Sequence, residues 1–369
     1  MKAMKSSWLF KIFALCALPL LAACAEIGYC VQCVTGHLDV MGRSRPIAEM
    51  LDDQQIPETE RKQLAKVLAI RDFATGELGL PDNNSYRIYA NLGRPYVVWN
   101  VVATPEFSLA PKQWCFPVVG CLAYRGYFSE ADARAMAAQL AAAGHDVDLY
   151  GVKAYSTLSW FDDPVLNTFI DGADSQLAAL MFHELAHQVV YVADDCAFNE
   201  AFAKTVEMEG LRRWLQKNST EAEWHDYLER DLRSEEFLAV LSRGREQLAR
   251  LYAQSLPADA ARPAKRVILE RLESDLRALR DQWPNPEALD KWLEGGLNNA
   301  RLASIATYRD RVPAFQGLLA AQRGDLPAFY AEVARIARLP ADQRLARLGE
   351  YGPVEAQTAC KDLPVEVYE

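Results

Sequence analysis

The sequence His183-Glu184-Leu185-Ala186-His187 constrains the fold more than any other feature of this chain. An α-helix turns about 100° per residue, so residues four apart lie about 40° apart and one turn along the axis. Two histidines at this spacing can bind one tetrahedral zinc ion, but only if the segment is helical. We therefore predict a helix across residues 183–187 whose histidine face points toward further metal ligands.

Glu184, between the two histidines, is the predicted catalytic base. On a helix its side chain belongs to the neighbouring stripe, where it cannot easily bind the metal but can accept a proton from a metal-bound water. The alternative is a chance match, with both histidines simply exposed on a helix. The sequence predicts that Asp171 or Asp174 caps this helix and that it continues about one turn beyond the second histidine, to Tyr191 or Val192.

Glu200 is the predicted third metal ligand. A new amphipathic pattern begins after a turn at residues 193–195, which predicts an αα-hairpin. At about 1.5 Å per residue, the return helix reaches the level of the histidines at roughly residues 199–204. Alternatively, Glu200 only stabilises the N-terminus of that helix. Glu207 lies seven residues later on the same face, and we predict that it orients a ligand histidine.

The periodicity along the chain predicts an α+β fold with a small N-terminal sheet and a mainly helical C-terminal half. Helical patterns run from residue 28 to about 74, and strand patterns cover 87–90, 96–103 and 149–155. A helix that begins after Ser129 and ends at Gly144 interrupts the strands. After residue 171 the pattern is helical almost to the end, so we divide the chain into a signal (1–23), an α+β unit (24–170) and a helical unit (171–369).

The N-terminus has the layout of a bacterial lipoprotein signal. Three lysines and no acid precede the apolar run at residues 12–23, which is too short to span a membrane as a stable helix. Leu21-Ala22-Ala23-Cys24 resembles a lipobox, in which the cysteine is lipidated and becomes the mature N-terminus. Because Ala25 follows in place of Asp, we expect a lipid anchor in the outer membrane that faces the periplasm. The alternative is an ordinary signal peptide with a fortuitous cysteine.

The amino-acid composition limits the classes of partner that we expect for this protein. The net charge is −10 and the chain has no basic block, which makes nucleic acid an unexpected partner. Half of the residues are apolar and 24% are charged, as in a soluble globular body. In an oxidising periplasm Cys115 and Cys121 could close a short loop, although pairing cannot be deduced from sequence. His37, His145 and His225 lack partners at ligand spacing, so we expect no metal there.

Two segments together resemble the gluzincins, zinc peptidases whose third ligand is the Glu of an Asn-Glu pair. These are residues 183–187 and Asn199-Glu200-Ala201-Phe202-Ala203. Classical members have a longer gap than the twelve residues between His187 and Glu200, and that longer spacing would make Glu207 the ligand. Both glutamates therefore remain candidates.

A closer resemblance is to a bacterial family of lipoproteins described as predicted aminopeptidases, and it covers nearly the whole chain after the signal. The matching segments are 154–158, 161–164, Phe182–Gln188, Phe198–Ala203, and Asn298–Arg301 with Tyr308. The resemblance implies a zincin-like fold, a zinc cofactor and a peptide substrate. No GxMEN-like segment, which classical zinc aminopeptidases use to hold the substrate amine, occurs in this sequence. A zinc metallopeptidase is thus better supported than aminopeptidase specificity.

Two further regions receive roles by analogy with gluzincins. An edge strand shortly before the active helix pairs with substrate in those enzymes, so the chain from Tyr155 to Asp163 is a predicted cleft wall that includes Asp162. The alternative is a buried loop whose aromatic rings only pack. The Tyr308 hydroxyl is a candidate for stabilising the oxyanion, although core packing serves equally well. Tyr191, four residues after the second histidine, is its rival.

The leading hypothesis is a lipid-anchored zinc metallopeptidase, an aminopeptidase by family resemblance, in which His183, His187 and Glu200 hold the metal. One rival is a non-catalytic envelope lipoprotein that binds a partner. Another is a zinc amidase that hydrolyses a non-peptide amide. Glu184 distinguishes the first rival, because a binding protein has no need of a general base.

Overall fold

A computed structural model describes residues 28–116, 120–155, 157, 161–193, 195–218, 221–305 and 311–353. The signal segment, Cys24 and Tyr308 lie outside these residues, so their predicted roles stay predictions. Within the described ranges, no helix combines the length and apolar character that a membrane span requires.

Helices dominate the described chain and the strands are short, so the fold is α+β, as the sequence predicts. The strands are β1 (Arg45–Pro46), β2 (Ile88–Ala90), β3 (Val98–Pro105), β4 (Trp114–Phe116), β5 (Gly120–Leu122), β6 (Arg125–Tyr127), β7 (His145–Val152) and β8 (Val165–Leu166). The helices are α1 (28–43), α2 (Ile47–Asp52), α3 (Glu58–Gly76), α4 (Glu130–Ala142), α5 (Asp174–His187), α6 (Cys196–Asn218), α7 (Glu221–Ala253), α8 (Ala258–Arg280), α9 (Glu287–Glu294), α10 (Asn299–Ser304), α11 (Val312–Ala321), α12 (Leu326–Ala337) and α13 (Ala341–Gly349).

The predicted strands do not share one sheet. Strand β2 pairs with β1 and, in parallel, with β8, whereas β3 lies between β6 and β7 in a separate antiparallel sheet. Strand β7 also begins at His145, earlier than the predicted start at residue 149. The prediction was wrong here because the first half of β7 carries two aspartates. Of these, Asp148 is buried and accepts hydrogen bonds from Arg301 and Ser304, so distant partners stabilise a strand with polar sequence.

Helix α4 begins and ends where the sequence predicts. The Ser129 side chain accepts a hydrogen bond from the Asp132 backbone N–H, and the chain turns after the helix at Gly144 with φ +86°. This confirms the predicted cap and the predicted stop. The Cys115–Cys121 disulfide joins directly paired residues of the β4–β5 hairpin.

The largest hydrophobic core surrounds α5 and α6. It draws residues from α2 and α3 before residue 170 and from α11, α12 and α13 near the C-terminus, so the packed core is not divided at the proposed boundary. Gly210 allows α6 to approach closely, because a Cβ there would lie 2.7 Å from Leu78 and 2.9 Å from Phe182. Helix α5 is consequently buried on nearly all sides.

Candidate metal centre

Helix α5 carries both histidines but begins and ends differently from the prediction. Neither predicted aspartate caps it: the N-cap is Ala173, whose backbone N–H donates to the Gln176 side chain at 3.2 Å. The helix ends at His187, because the next two N–H groups bond three residues back in a tighter turn. Tyr191 therefore does not lie on the helical face of His187, and its exposed fraction is 45%.

The structure brings the three predicted ligands together. The Nε2 atoms of His183 and His187 are 3.2 Å apart, and the Glu200 carboxylate lies 3.2 Å from the first and 3.6 Å from the second. Both histidine side chains are almost fully buried, whereas that of Glu200 is 15% exposed. The cluster thus reaches solvent on its Glu200 side.

These distances fit a tetrahedral zinc ion. Nitrogen and oxygen ligands about 2.0–2.1 Å from such an ion are about 3.3 Å from one another, close to the three separations observed. Two imidazoles and one carboxylate are also the donor set of many catalytic zinc sites, which leave the fourth position open. The residues present therefore fit the metal that the sequence predicts.

Glu207 contacts the opposite edge of the His183 ring. Its Oε2 lies 3.1 Å from Nδ1, and its carboxylate is fully buried. Because an ionised carboxylate only accepts hydrogen bonds, Nδ1 must carry the hydrogen, which leaves Nε2 of the neutral ring as the atom whose lone pair a metal would bind. A metal bound at Nε2 and Glu207 at Nδ1 would lie at different edges of the His183 ring. Glu207 is therefore on the side of this ring that faces away from the metal position.

A buried polar network holds Glu207 in turn. Lys204 Nζ donates to Glu207 Oε1 at 2.7 Å and forms an ion pair with Asp231 at 3.1 Å. The Tyr227 hydroxyl donates to the same Glu207 oxygen at 3.2 Å. Burial raises the pKa of Glu207, but the charge of Lys204 and the contact with His183 outweigh this effect, so its pKa lies well below the usual range.

The charges around the two histidines differ. Burial lowers the pKa of His183, yet the Glu200 and Glu207 carboxylates outweigh burial and hold that pKa well above its ordinary value. Burial also lowers the pKa of His187, to about 4, with only partial compensation from Glu200. The two carboxylates thus give the cluster negative charge, which a proton on His183 or a cation between the histidines would balance.

The turn between α5 and α6 fixes the position of Glu200. The Asn199 side chain accepts from the Val192 N–H and donates to the Val192 carbonyl, both at 2.8 Å. Asp195 accepts from Arg311 at 2.7 Å and from Arg344 at 2.8 Å, and all three side chains are nearly buried. Arg311, just before α11, and Arg344 of α13 therefore anchor the turn that precedes the predicted third ligand.

Glu184 is 1% exposed and lies near Tyr86, a residue that the sequence analysis did not identify. Burial, followed by the charges of Glu184 and Asp163, holds the pKa of Tyr86 well above its ordinary value, so the phenol stays protonated. Tyr86 has a φ of 63°, in the left-handed region that a bulky residue adopts only under constraint. Strain of this kind often marks a functional site.

Side-chain hydrogen bonds fix the Tyr86 segment, residues 83–86, and connect it to the end of α5. Arg71, which is fully buried, donates to the carbonyls of Asn83 and Ser85. Asn83 Nδ2 donates to the Gln188 side chain at 2.7 Å, and Gln188 Nε2 donates to Ser85 Oγ at 3.3 Å. Since Gln188 directly follows α5, these bonds hold the segment beside the end of the helix that carries the two histidines.

The predicted cleft residues occupy different places. The Asp163 carboxylate accepts from the backbone and hydroxyl of Thr157, and the Asp163 backbone bonds to Ser85 and Tyr86, so it supports the Tyr86 segment. Asp162 accepts from Asn84 at 3.3 Å. Tyr155 donates to or accepts from His37 at 2.8 Å, which places it against α1. Their predicted role as substrate contacts stays a prediction.

Sequence reasoning missed Arg71 and Lys204, although both leave a signal. Arg71 falls on the stripe of α3 that includes the buried residues Leu64, Val67 and Ala74. Lys204 likewise lies on a largely buried stretch of α6. For Arg71, a single charge on an otherwise apolar helical stripe indicates a buried partner, because an unpaired buried charge is strongly unfavourable. For Lys204, the signal is its position three residues before Glu207, a spacing that pairs opposite charges on one helix face.

Comparison with known proteins supplies the family. A family model whose description reads "Putative aminopeptidase" matches residues 28–348, most of the chain. No curated protein and no solved structure matches the chain significantly. The matched region contains α5, α6 and the Tyr86 segment, and the family suggests peptidase activity on a peptide substrate. The chain therefore belongs to this aminopeptidase family.

Proposed function

We propose that this protein is a zinc-dependent peptidase with a zincin-like active site, held at the membrane by a lipid on Cys24. The observation that carries the zinc proposal is the triangle of donor atoms from His183, His187 and Glu200, with sides of 3.2, 3.2 and 3.6 Å. When bound there, zinc supplies a Lewis acid that lowers the pKa of a coordinated water toward about 7.

Glu184 is the proposed general base. It directly follows His183 on the same helix and lies three residues before His187, so its carboxylate stands beside the histidines without belonging to the donor triangle. In this role Glu184 accepts the proton of the attacking water and then passes it to the departing amine. The protonated phenol of Tyr86 lies near Glu184, and a hydrogen bond donated by its hydroxyl would favour the ionised carboxylate that a base requires.

The buried position of Glu184 favours this proposal over a non-catalytic lipoprotein. A carboxylate that is 1% exposed loses much of its hydration, which lowers stability, and this cost favours a role for the group in the chemistry of the site. A partner-binding protein would gain nothing from a buried base beside three metal donors. Hydrolysis of a non-peptide amide uses the same groups, and only substrate assays separate it.

The Glu184→Gln variant tests the mechanism. Glutamine keeps the size of the side chain but cannot accept the proton, so we expect the zinc content to stay stoichiometric while peptide hydrolysis falls about 100-fold or more. Glu58→Gln, at a side chain that is 71% exposed on α3, is the matched control and should leave both unchanged. Undiminished hydrolysis by Glu184→Gln would refute the assigned base.

Exopeptidase specificity has a separate test. An aminopeptidase must recognise the free amine of its substrate, so acetylation of that amine should abolish cleavage. Cleavage of acetylated peptides at the same rate would establish an endopeptidase with the same zinc chemistry. Hydrolysis of neither peptide, with hydrolysis of a non-peptide amide, would favour the amidase.

For location we propose the outer membrane, with the protein facing the periplasm. A variant with Cys24→Ser, exported with an ordinary cleavable signal, is expected in the soluble fraction, because the lipid is its proposed anchor. Continued recovery of this variant with outer membranes would contradict lipid anchoring.

A further inference from the structure

The outward face of α1 is apolar. Val31, Val34 and Leu38 are 55%, 58% and 61% exposed, and their spacing of three and four residues aligns them on one stripe. Thr35 continues the stripe, and within it there is no charged residue. The solvent face of a helix in a soluble protein is normally charged or polar, so this face is unusual.

The opposite face fixes the orientation of the helix. Val40 is fully buried, and the Tyr29 ring packs edge-on against Tyr127 at a centroid distance of 5.5 Å. The Gln32 side chain donates to the Gly126 carbonyl at 3.2 Å and accepts from the Phe128 N–H at 3.1 Å. Helix α1 therefore cannot rotate its apolar stripe into the protein without breaking these contacts.

The place of α1 in the chain indicates what covers the stripe. Gly28, the first described residue, follows Cys24 by four residues, which span at most about 14 Å when fully extended. If Cys24 carries the lipid that the proposed function assigns to it, α1 must lie within that distance of the bilayer surface. This limit applies to the start of α1, and the stripe extends from there by at most about 15 Å to Leu38, so a helix that lies along the surface can bring its apolar face into the lipid.

We propose that the Val31–Val34–Leu38 stripe of α1 lies in the interfacial region of the lipid bilayer and orients the protein on the membrane. This inference rests on the lipid anchor of the proposed function but not on the zinc centre. Phe161, 52% exposed, packs on His37 of the same helix at a centroid distance of 4.5 Å and adds a second exposed apolar side chain beside α1. The loop that contains the predicted cleft residue Asp162 would then lie near the membrane surface.

The size of the stripe favours lipid over a second copy of the chain. Its exposed aliphatic surface together with Phe161 is on the order of 400 Å², about half of what each partner buries in a stable protein interface. A lipid surface needs no matching shape and can cover a narrow stripe beside an anchor.

The test places a fluorescent amino acid at position 34 of the full lipidated chain, in vesicles of phosphatidylethanolamine and phosphatidylglycerol that contain a nitroxide-labelled lipid. Val267 on α8 is the matched control, since it is 61% exposed. Its helix is tied to the first half of β7 through Lys265 and Asp146, whereas α1 contacts β6 near the other end. Gly126 aligns through Asn100 of β3 with Tyr150 of β7, four residues beyond Asp146, so the two contacts are about 14 Å apart along the strands.

We expect several-fold stronger quenching by the nitroxide lipid at position 34 than at position 267. A label at position 31 should lose this quenching when Val34 and Leu38 are both replaced by Asp. Equal, weak quenching at positions 34 and 267 in protein that floats with the vesicles would overturn the proposed membrane face alone. Failure to float would overturn the face and the anchor together, while the zinc content of the same sample reports separately on the metal centre.

Discussion

Replacing Glu200 and Glu207 separately by glutamine should weaken zinc binding to very different extents. Glu200 offers its carboxylate within 3.2–3.6 Å of both ligand nitrogens, whereas Glu207 contacts only Nδ1 of His183, on the far edge of the ring. The first change removes a proposed ligand. The second removes only the carboxylate that orients one.

The expected loss of zinc affinity in Glu207→Gln follows from the position of Glu207 beside His183. Loss of a carboxylate that orients a ligand histidine typically lowers metal affinity about 10- to 100-fold, equivalent to about 1.4–2.8 kcal/mol. Asp231 still pairs with Lys204 at 3.1 Å in this variant, so the buried lysine keeps one anionic partner. For Glu200→Gln we expect a loss greater than 100-fold, because a neutral amide replaces the anionic donor.

Zinc affinity is best measured by competition with a chromophoric chelator, with the fold of each metal-free variant checked by circular dichroism. Glu209→Gln provides a control on the same helix, since Glu209 pairs with Arg212 and Arg213 away from the histidines. A larger loss in Glu207→Gln than in Glu200→Gln would refute this assignment and make Glu207 the ligand, as the longer family spacing suggests.

Three further predictions concern the stability of the folded chain. Arg71→Met should lower the free energy of unfolding by about 3 kcal/mol in urea denaturation, because several carbonyls of the Tyr86 segment lose a charged donor; a loss below 1 kcal/mol would contradict the clamp. Asp195→Ala should cost about 3–5 kcal/mol by the same measurement, since it leaves two buried arginines without their carboxylate, and a neutral effect would contradict that anchoring role. Replacing Cys115 and Cys121 together by serine should lower the free energy of unfolding by about 2 kcal/mol under oxidising conditions and leave it unchanged in reductant. If the variant and the unmodified protein are equally stable under both conditions, no disulfide forms.

The parts of the site that lie on long helices were predictable from sequence. The spacing of His183 and His187 requires only helical geometry, and the rise of the return helix placed Glu200 at the correct level. The helix ends were harder to predict. The end of α5 at His187 accompanies the engagement of Gln188 by Asn83 and Ser85, more than a hundred residues earlier in the chain.

Tyr86 could not be predicted because nothing local to it signals its conformation. Its left-handed backbone depends on a bond from its N–H to the Asp163 carbonyl and on the Arg71 clamp beneath the segment. Strand β7 was shortened in the prediction for the same kind of reason, since its polar first half is stabilised by β3 and α10. Contacts between distant parts of the chain override local preference in both cases.

Metal analysis combined with zinc X-ray absorption on the purified mature protein tests the central claim most directly. The proposed centre predicts one zinc per chain with two nitrogen ligands at about 2.0–2.1 Å and further oxygen ligands at about 2.0–2.2 Å, and it predicts that His183→Ala abolishes this signal. Purified protein that takes up no zinc, or zinc that remains stoichiometric with the same ligand set in His183→Ala, would contradict the proposed centre.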